Sequence, residues 1–342
     1  MFANRNRIAK SISGLTAPAY LVTNAPDLLY LTGTGLEGFH LLLTPQGGVI
    51  FTSPMLKEQL QSLVPGVRVM AGNNLFNLLV RFCRINRIGA VAVNPSKISY
   101  AFAQKIAARL KIEKAGDIIG LARSIKDEWE LDSIRHACRI AARVVEDVRL
   151  LLRPGVSEDD IAFKIEEYFA RNNVRSSFTP IVASGPNSSK PHHLSSARRL
   201  LPDDVVMIDL GCVYNGYCSD LTRTYFLGKI NRLSNKVFSL VERAKIRATA
   251  AIRPGVRASA IDAVARRVIT AGGYGNEFIH STGHGVGIEV HEAPRIRAKE
   301  TTTLKPGMVI TVEPGIYLSG RFGVRLEDTV LVTEKGSEVL TI

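Results

Sequence analysis

The spacing of apolar and polar positions changes character several times along the 342 residues. Residues 17–53 hold apolar runs broken by turn residues, with Pro45-Gln46-Gly47-Gly48 between two of them, which predicts strands joined by turns. Residues 56–64, 74–83 and 100–110 have helical periodicity, and "IGAVAV" (88–93) reads as a buried strand. Strands alternating with helices predict a small α/β domain over residues 1–120. A long helical pattern then runs from Lys126 to about Leu152 and stops at Arg153-Pro154-Gly155.

The second part of the chain repeats itself. "LLRPGVSEDDIAFKIEEYFARNNVRSSF", from Leu151, matches "AIRPGVRASAIDAVARRVITAGGYGNEF", from Ala251, at an offset of 100 residues. Ile161, Ile165 and Phe169 align with Ile261, Ala265 and Ile269 on a helix face, and Phe178 aligns with Phe278. A duplicated unit of turn, helix and strands, packed about a pseudo-two-fold axis with a site between the copies, is the physical reading.

Between the repeats, "DLGCVYNGYCSDLTRTY" centres on Asn215-Gly216, a strong signal for a two-residue hairpin. That turn pairs Tyr214 with Tyr217 and sets Gly211 opposite Asp220 and Asp209 opposite Thr222. These four residues then share one face. The two carboxylates become diagonal neighbours roughly 7–8 Å apart at the backbone, with open space expected over Gly211. Two converging acids repel, so a metal, an arginine or water must lie between them.

Composition leaves this picture intact. With 46% hydrophobic and 22% charged residues, the chain is an ordinary globular one of two domains. No stretch approaches the length of a membrane span, and the start lacks the apolar core of a secretory signal. Cys83, Cys138, Cys212 and Cys218 form no paired motif, which fits a reducing cytoplasm. The net charge of +13 is concentrated early: the first 120 residues hold 13 Lys/Arg against 5 Asp/Glu. Arg81, Arg84 and Arg87 fall at helical spacing, but no aromatic residues interleave with them as stacking platforms, so they read as a solvated face and not a nucleic-acid surface.

Five of the seven histidines follow residue 190: His192, His193, His280, His284 and His291. Glu313 ends an alternating strand stopped by Pro314-Gly315. In "GVRLEDTVLV", read as one strand, Arg325 and Glu327 share a face that excludes Asp328. Asp209, Asp220, His284, Glu313 and Glu327 would supply four carboxylates and one imidazole, a set suited to two divalent ions of the Mn, Co, Fe or Zn type. His280 and His284 are four apart, but Ser281 and the glycines of "HSTGHGVG" exclude a helical zinc motif.

These motifs resemble the creatinase/prolidase/aminopeptidase P group of metallopeptidases. The resemblance rests on "DLGCVYNGYCSDLTRTYFLG", "STGHGVGIEVHEAP", "PGMVITVEPGIY" and "GVRLEDTVLV". It spans residues 121–342, with "LVTNAPDLLYLTG" as a looser match to the family's accessory domain. It implies an α+β, pita-bread catalytic domain with an internal pseudo-two-fold repeat, preceded by the smaller α/β domain. It also implies that Asp209, Asp220, His284, Glu313 and Glu327 hold two divalent metal ions, Mn favoured, for hydrolysis of an Xaa-Pro peptide bond. In that reading Glu313 carries protons, His291 stabilises the tetrahedral intermediate, and His192 and His280 line the substrate pocket. Arg295 would bind the free carboxylate of a dipeptide, and Arg325 would contact substrate. His193, His40 and His136 have no counterpart and read as ordinary. Prolidase is the expected activity, on a small peptide with proline second. Aminopeptidase P is the alternative, and a non-catalytic peptide- or nucleic-acid-binding relative the alternative of another class. Members of the family usually dimerise, so a homodimer is expected.

Overall fold

A computed structural model describes residues 7–8, 11 and 17–342. The chain divides into two compact units after Arg123.

The first unit is a six-stranded mixed sheet. Its strands are β1 (Tyr20–Val22), β2 (Phe39–Thr44), β3 (Gly47–Thr52), β4 (Arg68–Ala71), β5 (Ala90–Val93) and β6 (Lys111–Lys114), in the order β4-β3-β2-β1-β5-β6. The Pro45-Gln46 turn joins β2 to β3, with Thr44 opposite Gly47. Helices Lys57–Leu63, Leu75–Ile85 and Tyr100–Ala107 lie where the periodicity puts them. The stretch Ala25–Thr32, expected to be extended, is instead a helix. Proline is tolerated in a first helical turn, and Gly33 ends the helix in the left-handed conformation (φ 73°), its N–H on the Leu29 carbonyl. Leu28 and Leu31 are buried three apart, a helical spacing that the dense apolar run disguises as a strand. The basic stripe is shorter than expected. Arg81 and Arg84 ride the exposed face of Leu75–Ile85, while Arg87 lies past its end at φ 55°.

The second unit opens with the helix Glu128–Arg149, started by a capping box between Asp127 and Glu130. The duplication predicted from the sequence is present at atomic detail. Gly155 and Gly255 both adopt positive φ (94° and 84°). The Gly155 N–H donates to the Leu200 carbonyl at 2.9 Å, and the Gly255 N–H to the Leu304 carbonyl at 2.9 Å. Helices Glu158–Arg171 and Ala258–Ala271 follow. Ile161, Ile165 and Phe169 are fully buried in one apolar cluster with Val144 and Ile208. Ile261, Ala265 and Ile269 are fully buried in another, with Val241 and Ile310.

The strands of this unit are β7 (Arg175–Ser176), β8 (Ile181–Ser184), β9 (Val205–Leu210), β10 (Cys212–Tyr214), β11 (Tyr217–Cys218), β12 (Leu221–Phe226), β13 (Gly283–Gly285), β14 (Glu292–Ile296), β15 (Val309–Val312), β16 (Gly315–Leu318), β17 (Phe322–Arg325), β18 (Asp328–Val332) and β19 (Ser337–Val339). They form sheets β12-β9-β8, β11-β10-β7, β14-β13-β15-β18-β19 and β16-β17. "GVRLEDTVLV" is thus two strands. The chain leaves the pairing of Arg325 with Gly315 and enters that of Asp328 with Val312, changing sheets across Leu326-Glu327. Glu313-Pro314 makes the matching change on the facing strand.

The open space expected over Gly211 is absent. A Cβ there would stand 2.0 Å from the Ser219 carbonyl oxygen and 2.5 Å from Ser177 Oγ, so the backbones close on each other where a side chain would sit. A Cβ at Gly155 meets nothing within 4 Å. Gly211→Ala therefore costs about 3 kcal/mol through backbone displacement, against about 1–2 kcal/mol for Gly155→Ala, where only the left-handed backbone objects. Thermal unfolding of the two variants should rank them in that order; a Gly211→Ala protein as stable as Gly155→Ala would contradict the close approach.

Candidate metal centre

The Asn215-Gly216 turn takes positive φ at both residues (50° and 84°), as a type I′ hairpin requires. Tyr214 pairs with Tyr217 and, further out, Thr222 pairs with Asp209. The hairpin register therefore brings Asp209 and Asp220 to one side of the β9–β12 ribbon, at the point where Gly211 interrupts it.

The other three residues arrive at irregularities in the neighbouring sheet. His284 sits on β13, where the register with β14 shifts between His284 and Gly285. Glu313 and Glu327 occupy the two sheet-changing segments. The Glu313 N–H donates to the Thr282 carbonyl at 2.8 Å and the Glu327 N–H to the Thr222 carbonyl at 3.1 Å. Regular pleating would alternate these side chains between faces; leaving the ladder frees them to converge.

They do converge. Single ligand atoms of Asp220, His284 and Glu327 lie within 4.8 Å of one another. His284 Nε2 is 3.6 Å from Asp220 Oδ2 and 3.4 Å from Glu313 Oε1. Its Nδ1 lies 3.1 Å from the Gly285 carbonyl, an acceptor only, so the ring proton belongs on Nδ1 and the Nε2 lone pair faces the carboxylates. Burial, with His291 alongside, lowers the His284 pKa to about 4, which keeps that lone pair free.

The carboxylates are equally unsettled. Burial, and then the charges of Glu327, Asp209 and Glu313, drives Asp220 well above the usual carboxylate range. Burial followed by Glu313 and Asp209 does the same to Glu327. Burial pushes Glu313 up to about 7 against the pull of Arg325. Asp209 Oδ1 and Glu327 Oε1 are buried without a hydrogen-bond partner. Buried acceptors are rarely left so, and an ionised carboxylate out of water costs several kcal/mol unless compensated. Oxygen donors with one imidazole, orphaned and facing one another, fit hard or borderline divalent cations.

A cation already at this cluster is Arg325. Its Nη2 donates to Asp209 Oδ2 at 2.5 Å, Nε to Thr222 Oγ1 at 3.1 Å, and Nη1 to Tyr317 Oη at 2.9 Å and the Pro191 carbonyl at 3.1 Å. It is buried and occupied by protein acceptors, so the substrate contact expected of Arg325 gives way to a positioning role for Asp209. Thr222 Oγ1 in turn donates a hydrogen bond to Glu327 Oε2 at 2.7 Å.

His280 and His291 lie beside this group. His280 Nδ1 donates to the Ser281 carbonyl at 2.7 Å, which leaves Nε2 to accept from Tyr317 Oη at 2.9 Å. Burial, and then Arg325, lower the His280 pKa to about 4. His291 packs against His284 at 4.3 Å between ring centres, and desolvation there, with His192 nearby, lowers its proton affinity. His192 is exposed, and Arg295 is exposed on β14 opposite His284. His193, read as ordinary, has its Nε2 at 2.8 Å from the buried Glu158. His40 packs on Phe102 and His136 on Tyr214.

Two residues at this site went unread in the sequence. Tyr317 stands inside a recognised motif, and its place in "PGMVITVEPGIY" was the signal for it. Glu158 reads only as an acid in a helix's first turn; nothing local marks its contacts.

Comparison with known proteins follows the same lines. The profile of metallopeptidase family M24 matches residues 132–334, and that of the creatinase/prolidase N-terminal domain matches residues 5–125. The chain is 35% identical to an Xaa-Pro dipeptidase of Pyrococcus horikoshii over 94% of its own length and 92% of that protein's. It superposes on the Xaa-Pro dipeptidase of Bacillus anthracis with TM-score 0.95 at 30% identity, covering 99% of this chain and 96% of that one. It superposes on the X-Pro aminopeptidase of Thermotoga maritima with TM-score 0.89 at 31% identity, covering 97% of each. The architecture is the expected pita-bread fold, preceded in the chain by a smaller N-terminal domain. No helix among the described residues is long and apolar enough to cross a membrane. With its buried carboxylates and imidazole set for divalent metal, the chain belongs to metallopeptidase family M24.

Proposed function

We propose that this protein is an Xaa-Pro dipeptidase working with two divalent ions, Mn²⁺ favoured, held by Asp209, Asp220, His284, Glu313 and Glu327. The observation that carries the reading is the orphaned pair of buried oxygens, Asp209 Oδ1 and Glu327 Oε1, beside the outward lone pair of His284 Nε2. Two bound cations supply Lewis acidity and an acidic water to such a site. The chain's own groups do the rest. Glu313 transfers a proton toward the leaving nitrogen, which in an Xaa-Pro bond carries no hydrogen of its own. His291 donates to the developing oxyanion, and His192 orients the substrate. His280, held by Tyr317, shapes the pocket wall. Arg295 receives the free carboxylate that defines a dipeptide. The family resemblance supports a homodimer, and four free, buried cysteines suit a reducing, cytoplasmic setting.

A second reading is favoured by the likeness to the Thermotoga protein, whose name describes an aminopeptidase. An Xaa-Pro-Yaa tripeptide places amide where the dipeptide has carboxylate, and so separates the two. A non-catalytic binding role gives no reason for three acids buried together with a fourth beside them.

Protein stripped of metal with a chelator should lose hydrolysis of an Xaa-Pro dipeptide and regain it with Mn²⁺ or Co²⁺. The dipeptide should be cut in preference to the matching tripeptide; the reverse preference would establish the aminopeptidase reading. Glu327→Gln should bind about one equivalent of Mn²⁺ less than the parent by elemental analysis, and unchanged stoichiometry would remove Glu327 from the ligand set. Arg295→Ala should raise KM for the dipeptide by about 10-fold or more, a charge-assisted contact being worth some 1.5–3 kcal/mol. The tripeptide should be affected little, and equal effects on both would return Arg295 to the role of a surface charge.

A further inference from the structure

Glu158 is fully buried at the start of the helix Glu158–Arg171, and its side chain hydrogen-bonds to the segment that runs from Ser184, at the end of β8, to Ser196. Oε1 accepts from the Ser184 N–H and Ser184 Oγ, both at 2.7 Å, and from Asn187 Nδ2 at 3.1 Å. Oε2 accepts from His193 Nε2 at 2.8 Å, Ser196 Oγ at 2.7 Å and Asn187 Nδ2 at 3.2 Å. Burial opposes ionisation, but donors from Ser196, Ser184 and His193 outweigh it and hold Glu158 below the ordinary carboxylate range. Its place in a helix's first turn favours the anion too.

The loop so gathered carries His192. Lys190-Pro191-His192-His193 is a turn, closed by the His193 N–H on the Lys190 carbonyl at 3.2 Å. His192 is its exposed central residue, and both neighbours are anchored. The Pro191 carbonyl accepts from Arg325, the arginine that holds Asp209, and the His193 ring donates to Glu158. His192 itself lies near enough to His280 and His291 to disfavour a proton on either. The second repeat uses the same device. Asp262 Oδ1 accepts the N–H and Oγ1 of Thr282, as Glu158 Oε1 does those of Ser184, and steadies the segment between His280 and His284.

We propose that Glu158, through His193, is a positioning residue for His192. It fixes the turn that presents His192 to the substrate and touches neither substrate nor metal. The proposal rests on the reading of His192 as the substrate-orienting histidine. Displacing a positioned group by about an ångström is enough to cost on the order of 100-fold, so a partial release of the turn should cost about 10-fold.

The test is Xaa-Pro dipeptide hydrolysis by the Mn²⁺-loaded enzyme. Glu158→Gln and His193→Ala should raise KM about 10-fold with a smaller change in kcat and unchanged Mn²⁺ content. His193→Ala leaves Glu158 three other donor residues, so it carries the test even where Glu158→Gln fails to fold. His193→Gln, whose amide can still donate to Oε2, should recover most of the loss. His192→Ala/His193→Ala should be no worse than His192→Ala alone. If His192→Ala is impaired while His193→Ala is not, or if the two losses multiply, the positioning role is overturned. If His192→Ala itself matches the parent, the reading of His192 has failed and takes the proposal with it.

Discussion

The mutual repulsion of buried carboxylates is the constraint on which this structure turns. Asp209, Asp220 and Glu327 are each less than a tenth exposed, and Glu313 stands beside them. Arg325 neutralises one of the four, and it is committed to Asp209. Each uncompensated acid costs several kcal/mol, more than any one apolar contact returns. Protonation or a bound cation relieves that repulsion, and membership of a metallopeptidase family gives the reason for keeping the acids together.

Convergence of this kind demands irregular backbone. A regular strand offers alternate side chains to alternate faces, so acids from four strands cannot all meet over unbroken ladders. Here β9 and β12 are interrupted at Gly211, β13 at a register shift, and β15 and β18 at sheet changes. The breaks are held by specific partners: the Ser219 carbonyl against Gly211, and Thr222 beneath Glu327. The two repeats provide the rigid surroundings, each with its own helix-on-sheet core and its own buried helix carboxylate fastening the strand end that leads to the site.

Sequence alone determined the local facts. The Asn215-Gly216 turn forces the pairing of Asp209 with Thr222, because a two-residue loop permits one register. The apolar faces of the repeats, Ile161-Ile165-Phe169 and Ile261-Ala265-Ile269, follow from helical periodicity and are buried as that periodicity requires. Only tertiary structure decided what depends on distant partners. The extended reading of Ala25–Thr32 failed because an apolar run carries both periods, and the left-handed Gly33 cap resolved it. The space expected at Gly211 is filled by a carbonyl eight residues away, and Arg325 is held by acceptors up to 134 residues away in the chain. The tie from Glu158 to His193 spans 35 residues. Periodicity and turn chemistry act over a few residues and are written locally; the satisfaction of a buried charge depends on whichever groups the finished fold brings to it.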